Sequence, residues 1–141
     1  MAESLFNFLN LIPLPVWFSM MFFPKARFTQ RMVMSYWIYI GLGAVYTLSL
    51  LYSMTQGGGI DLSFNGLRMG LTNEWGFVTG WTHYLALDLF VGVWIFRDAK
   101  YWGIRTTWYL LVTLFAAPLG LALYLFVRER KDKTPQARMF N

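Results

Sequence analysis

The chain has 141 residues, of which 57% are hydrophobic and 20% aromatic, with 12 Lys and Arg against 7 Asp and Glu, a net charge of +5 and no cysteine. Charged residues make up only 13%, about half the ~25% of an average soluble domain, too few to cover a water-facing surface, and most soluble enzymes are excluded. Disulfides, thiolate nucleophiles, iron–sulfur clusters and Cys-ligated zinc are excluded with the missing thiols, so chemistry falls to oxygen groups, one imidazole or a bound pigment.

Four apolar stretches approach the ~20 residues that cross a bilayer as a helix, and none carries the polar stripe of a soluble amphipathic helix. The first, Leu5 to Phe23, is interrupted by Pro13 and Pro15 and holds Asn7 and Asn10. It lacks a basic leader and a small-residue cleavage pattern, so the expectation is a retained helix. The basic cluster Lys25, Arg27 and Arg31 follows. Val33 to Met54, free of charge, is the second stretch and carries Tyr36, Tyr39, Tyr46 and Tyr52. The connection Gln56 to Asn73 contains Gly57-Gly58-Gly59, which is read as a flexible exit from the second helix; no phosphate-cradle spacing is present. Asp61 to Leu71 is expected to lie along the membrane interface. Asn73 and Glu74 suit the N-cap and first turn of the next helix.

Trp75 to Phe96 is the third stretch. It contains the single His of the chain, His83, together with Asp88. Gly76-x3-Gly80 at its head is a small-xxx-small pattern that permits close helix approach, and Ala116-x3-Gly120 repeats it in the fourth stretch. Such spacing serves packing within the bundle or a homodimer. The cluster Arg97, Lys100 and Arg105 leads to the fourth stretch, Thr107 to Val127, bent or broken at Ala117-Pro118-Leu119-Gly120. A basic polar tail, residues 128–141, closes the chain. The fold class expected is therefore all-α, a single membrane domain of four transmembrane helices.

The cations flank apolar stretches without forming a basic face, so anionic membrane lipids are the expected partners and nucleic acid is not. Counting Lys and Arg for four spans gives six on each side, so the positive-inside rule does not orient the chain by total charge. The cluster after the first helix favours an outside N-terminus. Were the Pro118–Gly120 segment to re-enter instead of spanning, the count would become eleven to one.

Ionisable groups at membrane depth cost about 2.5–3.5 kcal/mol at a helix centre and are functional candidates by default. His83 and Asp88, five residues apart, stand about 7.5 Å apart along the axis and about 140° apart around it. Thr79 with His83 and Tyr84 with Asp88 form two polar rows. These groups suit acid–base work on a lipid-soluble substrate; the purely structural alternative is that Asp88 and His83 only brace the bundle. Two such groups are too few for a protein-only metal site. Seven Trp, eight Tyr and thirteen Phe exceed the needs of interfacial belts, and either fill the core or line a cleft for a long planar ligand.

Trp81-x-His83-x4-Asp88-Leu89-Phe90, with Asp98 beyond it, resembles the signature of the abscisic-acid-deficient-four-like membrane proteins, relatives of the plant plastid neoxanthin synthase. Pro24, Thr29-x4-Met34-Ser35, Tyr39 and Leu42-Gly43-x2-Tyr46 resemble that family's second span, and Pro118-x-Gly120 its last. The likeness runs from the first span to Val127. It implies a carotenoid-related protein of the thylakoid or bacterial inner membrane, in a bacterial setting such as a cyanobacterium. The plant reaction is a xanthophyll isomerisation without net redox change. On that chemistry His83, Asp88 and Tyr84 are the candidate catalytic residues, and Trp81, Phe90, Tyr46 and Tyr39 candidate contacts to the carotenoid. The alternative is a non-enzymatic pigment-binding or assembly subunit of a photosynthetic membrane complex, in which His83 ligates the metal of a chlorophyll or haem.

Overall fold

The structure, a computed structural model, describes residues 1–56 and 61–132. Among them every regular element is a helix: α1 (Ala2–Leu11), α2 (Leu14–Phe22), α3 (Arg27–Met34), α4 (Trp37–Thr55), α5 (Phe64–Thr72), α6 (Glu74–Trp102), α7 (Thr107–Phe115) and α8 (Ala117–Asp132). Two helical stretches, Ala2–Phe22 and Arg27–Thr55, are long and apolar enough to cross a membrane by length and composition. The other two expected spans are not of that kind. The triple glycine lies outside the described residues.

The chain divides into two compact units. The first comprises Met1–Pro15 and Ser35–Leu87, that is α1, α4, α5 and the first half of α6. Ala2, Leu9, Leu42 and Val78 form its buried centre, with Phe6, Val45 and Leu85 packed around them. α4 itself starts at Trp37, four residues after Val33, because the helical run is interrupted at residues 35 and 36. α6 begins as expected: the Asn73 side-chain oxygen accepts from the amides of Trp75 (3.0 Å) and Gly76 (3.1 Å), closing donors that a helix start leaves open. α5 occupies the stretch expected at the interface. Ser63 caps it by accepting from Gly66 N (3.1 Å), and it has no buried residue.

The second unit takes Val16–Met34 and the chain from Asp88 onward. Its core includes Trp17, Met20, Leu89, Ile95, Leu110 and Tyr124. The far edge of the Trp17 ring packs against Gly92, where an added Cβ would stand 2.7 and 2.9 Å from ring carbons. Thr29 is buried and donates to the Phe23 carbonyl at 2.7 Å, satisfying an acceptor at the end of α2.

Two boundaries differ from the sequence reading here. α6 continues past Phe96 to Trp102, since nothing before Gly103 breaks it; Gly103, at φ +59°, takes the left-handed conformation that ends helices, and Ile104 N–H returns to the Ala99 carbonyl at 2.9 Å. The basic tail likewise starts as helix, residues 128–132 continuing α8. Arg128 pairs with Asp98 at 2.9 Å and Tyr124 donates to the same carboxylate at 2.5 Å. The Arg128 guanidinium lies 5.3 Å from the Trp102 ring centroid, a cation–π distance.

The fourth stretch is not one helix. Pro118 has no amide hydrogen and its ring would collide with the carbonyl four residues back in a continuous helix, and the break falls at Ala116, φ −152°, ψ 79°. In a straight helix residues seven apart are about 10.5 Å apart along the axis. Here a Cβ on Gly120 would stand 2.6 and 2.7 Å from the backbone N and Cα of Thr113, so α8 folds back on α7. Near the far end of α8, Lys131 Nζ donates to the carbonyls of Trp102 (3.1 Å) and Gly103 (3.0 Å), just before α7 begins. The pair is a helical hairpin whose two ends meet.

Candidate functional site

In the first unit, α4, α5 and α6 enclose a cleft of about 490 Å³. Its position follows from small residues. On α6, Gly76 and Gly80 face α5: a Cβ at Gly76 would stand 3.0 Å from the Gly70 carbonyl carbon and one at Gly80 3.0 Å from the Leu71 side chain. The small-xxx-small pattern thus serves packing between α6 and α5. Leu50, Leu67 and Leu71 give the cleft apolar walls, and His83, Tyr46, Ser53 and Thr79 supply its polar groups.

His83 and Tyr46 approach with ring centroids 5.7 Å apart and planes tilted by 44°. Beside them the Ser49 and Thr79 hydroxyls are 2.9 Å apart. Each also reaches a carbonyl of its own helix, Tyr46 O at 3.1 Å and Trp75 O at 2.8 Å. Two hydroxyl protons serve three contacts, so at any instant one of the three is left without a proton. Asp61 borders the mouth, its carboxylate accepting from Ser63 N–H at 2.8 Å. Hydrogen bonds from the backbone and side chain of Ser63 hold that carboxyl below its ordinary 3.8.

Adjacent residues on a helix point about 100° apart, and α6 uses that rotation to divide its labour. Gly76, Thr79, Gly80 and His83 line the cleft, while Phe77, Trp81 and Tyr84 form an aromatic ladder on another face. Trp81 stacks on Tyr84 at 5.4 Å and meets Phe6 at 5.2 Å. Its indole N–H donates to Asn10 Oδ1 at 2.8 Å, so one asparagine expected at membrane depth braces α1 to α6.

Of the candidates named from sequence, His83 and Tyr46 are therefore brought together. Trp81 and Tyr84 lie on the ladder, outside the cleft wall, and half-buried Tyr39 on α4 does not line it either. Asp88 is buried and belongs to the second unit, as does exposed Phe90, which borders a smaller cleft with Trp94, Arg97 and Asp98. Ser49 and Ser53 were missed. Their spacing from Tyr46, three and seven residues along one helix face, was the available signal. Among the described residues no group of three or more His, Cys, Asp or Glu is arranged to hold a metal ion. An imidazole, a phenol and hydroxyls in an apolar-walled cleft can orient an uncharged ligand and exchange protons with it.

Residues 4–124 match the family model described as ABA DEFICIENT 4-like. The match covers most of the chain, which belongs to this family. Comparison with curated proteins and with solved structures gave no match.

Proposed function

We propose that this ABA DEFICIENT 4-like chain is a carotenoid-related integral membrane protein, and that the cleft holding His83 and Tyr46 receives the cyclic end of a xanthophyll. The observation that carries the reading is the convergence of imidazole and phenol, centroids 5.7 Å apart, in a cleft whose remaining wall is largely apolar. A volume of about 490 Å³ lies within the ~300–1,000 Å³ of small-molecule sites and suits an end group with a short length of polyene.

The chemistry proposed is isomerisation of an epoxide end group to an allene without net redox change. One proton leaves the polyene carbon next to the ring. The pair of electrons it leaves forms the new double bond, the adjacent ring C–O bond breaks, and the oxygen, still held by the other ring carbon, takes a proton as hydroxyl. His83 is the base in this scheme and Tyr46 the proton donor. Asp88 and Tyr84 are the further acid–base candidates from the sequence signature. Two apolar helices support a membrane location, proposed as a thylakoid or bacterial inner membrane.

Exposure of the His83 imidazole favours one second reading, a non-enzymatic subunit in which His83 ligates a chlorophyll metal through neutral nitrogen. Both readings are tested by expression in a host that accumulates epoxy-xanthophyll. The isomerase reading expects a new allenic product, abolished by His83→Ala and reduced at least tenfold by Tyr46→Phe, with carotenoid still bound. Chlorophyll co-purifying with wild type and lost in His83→Ala, without new product, would favour the second reading. Unchanged carotenoids and colourless protein would refute both.

A further inference from the structure

The second unit carries another cleft, of about 450 Å³, where the turn from α2 to α3 meets the turn from α6 to α7. Lys25 comes from the first turn, Lys100 from the end of α6 and Arg105 from the second turn, and no carboxylate lines the cleft among the described residues. Asp98, the nearby acid on α6, is already engaged by Arg128 and Tyr124. Three cations facing one space repel one another unless an anion enters it.

Two further features equip that space for an oxyanion. Gln30 donates to the Pro24 carbonyl at 2.8 Å and accepts from Lys100 Nζ at 3.4 Å, which links two of the residues lining the cleft. Thr106 stands at the N-cap of α7 and makes no side-chain cap bond. The first amides of α7, at the positive end of the helix, are thus left for another acceptor. From these features we propose that the cleft binds the phosphate of one anionic phospholipid headgroup.

The choice of lipid over free phosphate rests on the rest of the wall. Phe96 and Ile104 supply apolar surface beside the cations, useful to glycerol and the first methylenes of an acyl chain and useless to a soluble anion. Lys25 also lies in the short link between the two apolar helices Ala2–Phe22 and Arg27–Thr55, which puts the cleft at headgroup level if both cross.

Native mass spectrometry of the full chain in mild detergent tests this with three probes: phosphatidylglycerol, phosphatidylcholine and inorganic phosphate. Wild type should retain one phosphatidylglycerol per chain in preference to phosphatidylcholine. The triple variant Lys25→Gln, Lys100→Gln, Arg105→Gln should lose affinity by about a hundredfold, from the roughly fivefold that each cation near an anionic lipid surface contributes. Arg105→Gln alone, on an exposed turn, should lose severalfold, and Arg68→Gln nothing. Equal retention of phosphatidylcholine, undiminished binding by the single and triple variants, or displacement of the lipid by equimolar inorganic phosphate would each overturn the proposal; the last outcome would mark a soluble-anion site.

Discussion

Replacing Gly120 by alanine tests the folded-back hairpin directly. The added Cβ would stand 2.6 and 2.7 Å from backbone atoms of Thr113, roughly 1 Å inside the ~3.5–4.0 Å of ordinary contact. Backbone cannot swing aside as a side-chain tip can, so the upper part of the ~1–3 kcal/mol overpacking range applies. Alanine returns about 1 kcal/mol of helix propensity over glycine. The net expectation is a loss of about 2 kcal/mol, roughly thirtyfold in the unfolding equilibrium. Reversible SDS unfolding of the detergent-folded protein, followed by tryptophan fluorescence, measures it. Gly43→Ala is the control: nothing lies within 4 Å of its Cβ position, so it should be neutral or gain up to about 1 kcal/mol. Equal stability of the two variants would refute the close approach of α8 to α7.

Single cysteines introduced into this cysteine-free chain at Lys25, Arg105 and Lys131 should all react with an impermeant maleimide from the same side of oriented membranes, by the positive-inside rule the cytoplasmic one. Labelling of Lys131→Cys from the side opposite Arg105→Cys would restore a fully spanning fourth segment and remove the hairpin. At the start of α5, the Asp61 carboxyl is held below 3.8 by Ser63, so its contribution is present above that value and lost as pH falls through the lower folded value. The Ser63 amide resonance should therefore titrate with a midpoint below 3.8. A midpoint above it, or no response in wild type relative to Asp61→Asn, would contradict the Asx turn.

Helix content was legible because apolar runs without charge leave few alternatives, and Asn73 announced the start of α6 by its chemistry. Boundaries at the charged ends were not. Arg97, Asp98 and Lys100 read as loop, yet Asp98 finds Arg128 and Tyr124 on α8, partners about thirty residues away that hydropathy cannot see. The same limit hid the hairpin: 21 apolar residues have the length of a span, and Pro118 with Gly120 showed that the helix breaks without showing that it reverses. The cleft was half legible. His83 was singled out as the one imidazole and Thr79 paired with it one turn away on the same helix, but pairing it with Asp88 followed sequence proximity, whereas Tyr46 and Ser53 join it through packing of α4 against α6. That Lys25 and Arg105 would share a side followed from counting spans; that they would share a cleft with Lys100 required the turns to be folded.

The bonds from Lys131 to the end of α6 carry a consequence for the order of assembly. The carbonyls of Trp102 and Gly103 precede their donor by 29 and 28 residues, and Asp98 precedes Tyr124 by 26. During synthesis the end of α6 emerges first and waits, hydrated at the membrane edge, until nearly all of α8 has followed. The hairpin is therefore the closing step for this unit, and a ribosome halted between Gly120 and Lys131 would release a chain whose α6 is complete in length but still open at its last turn.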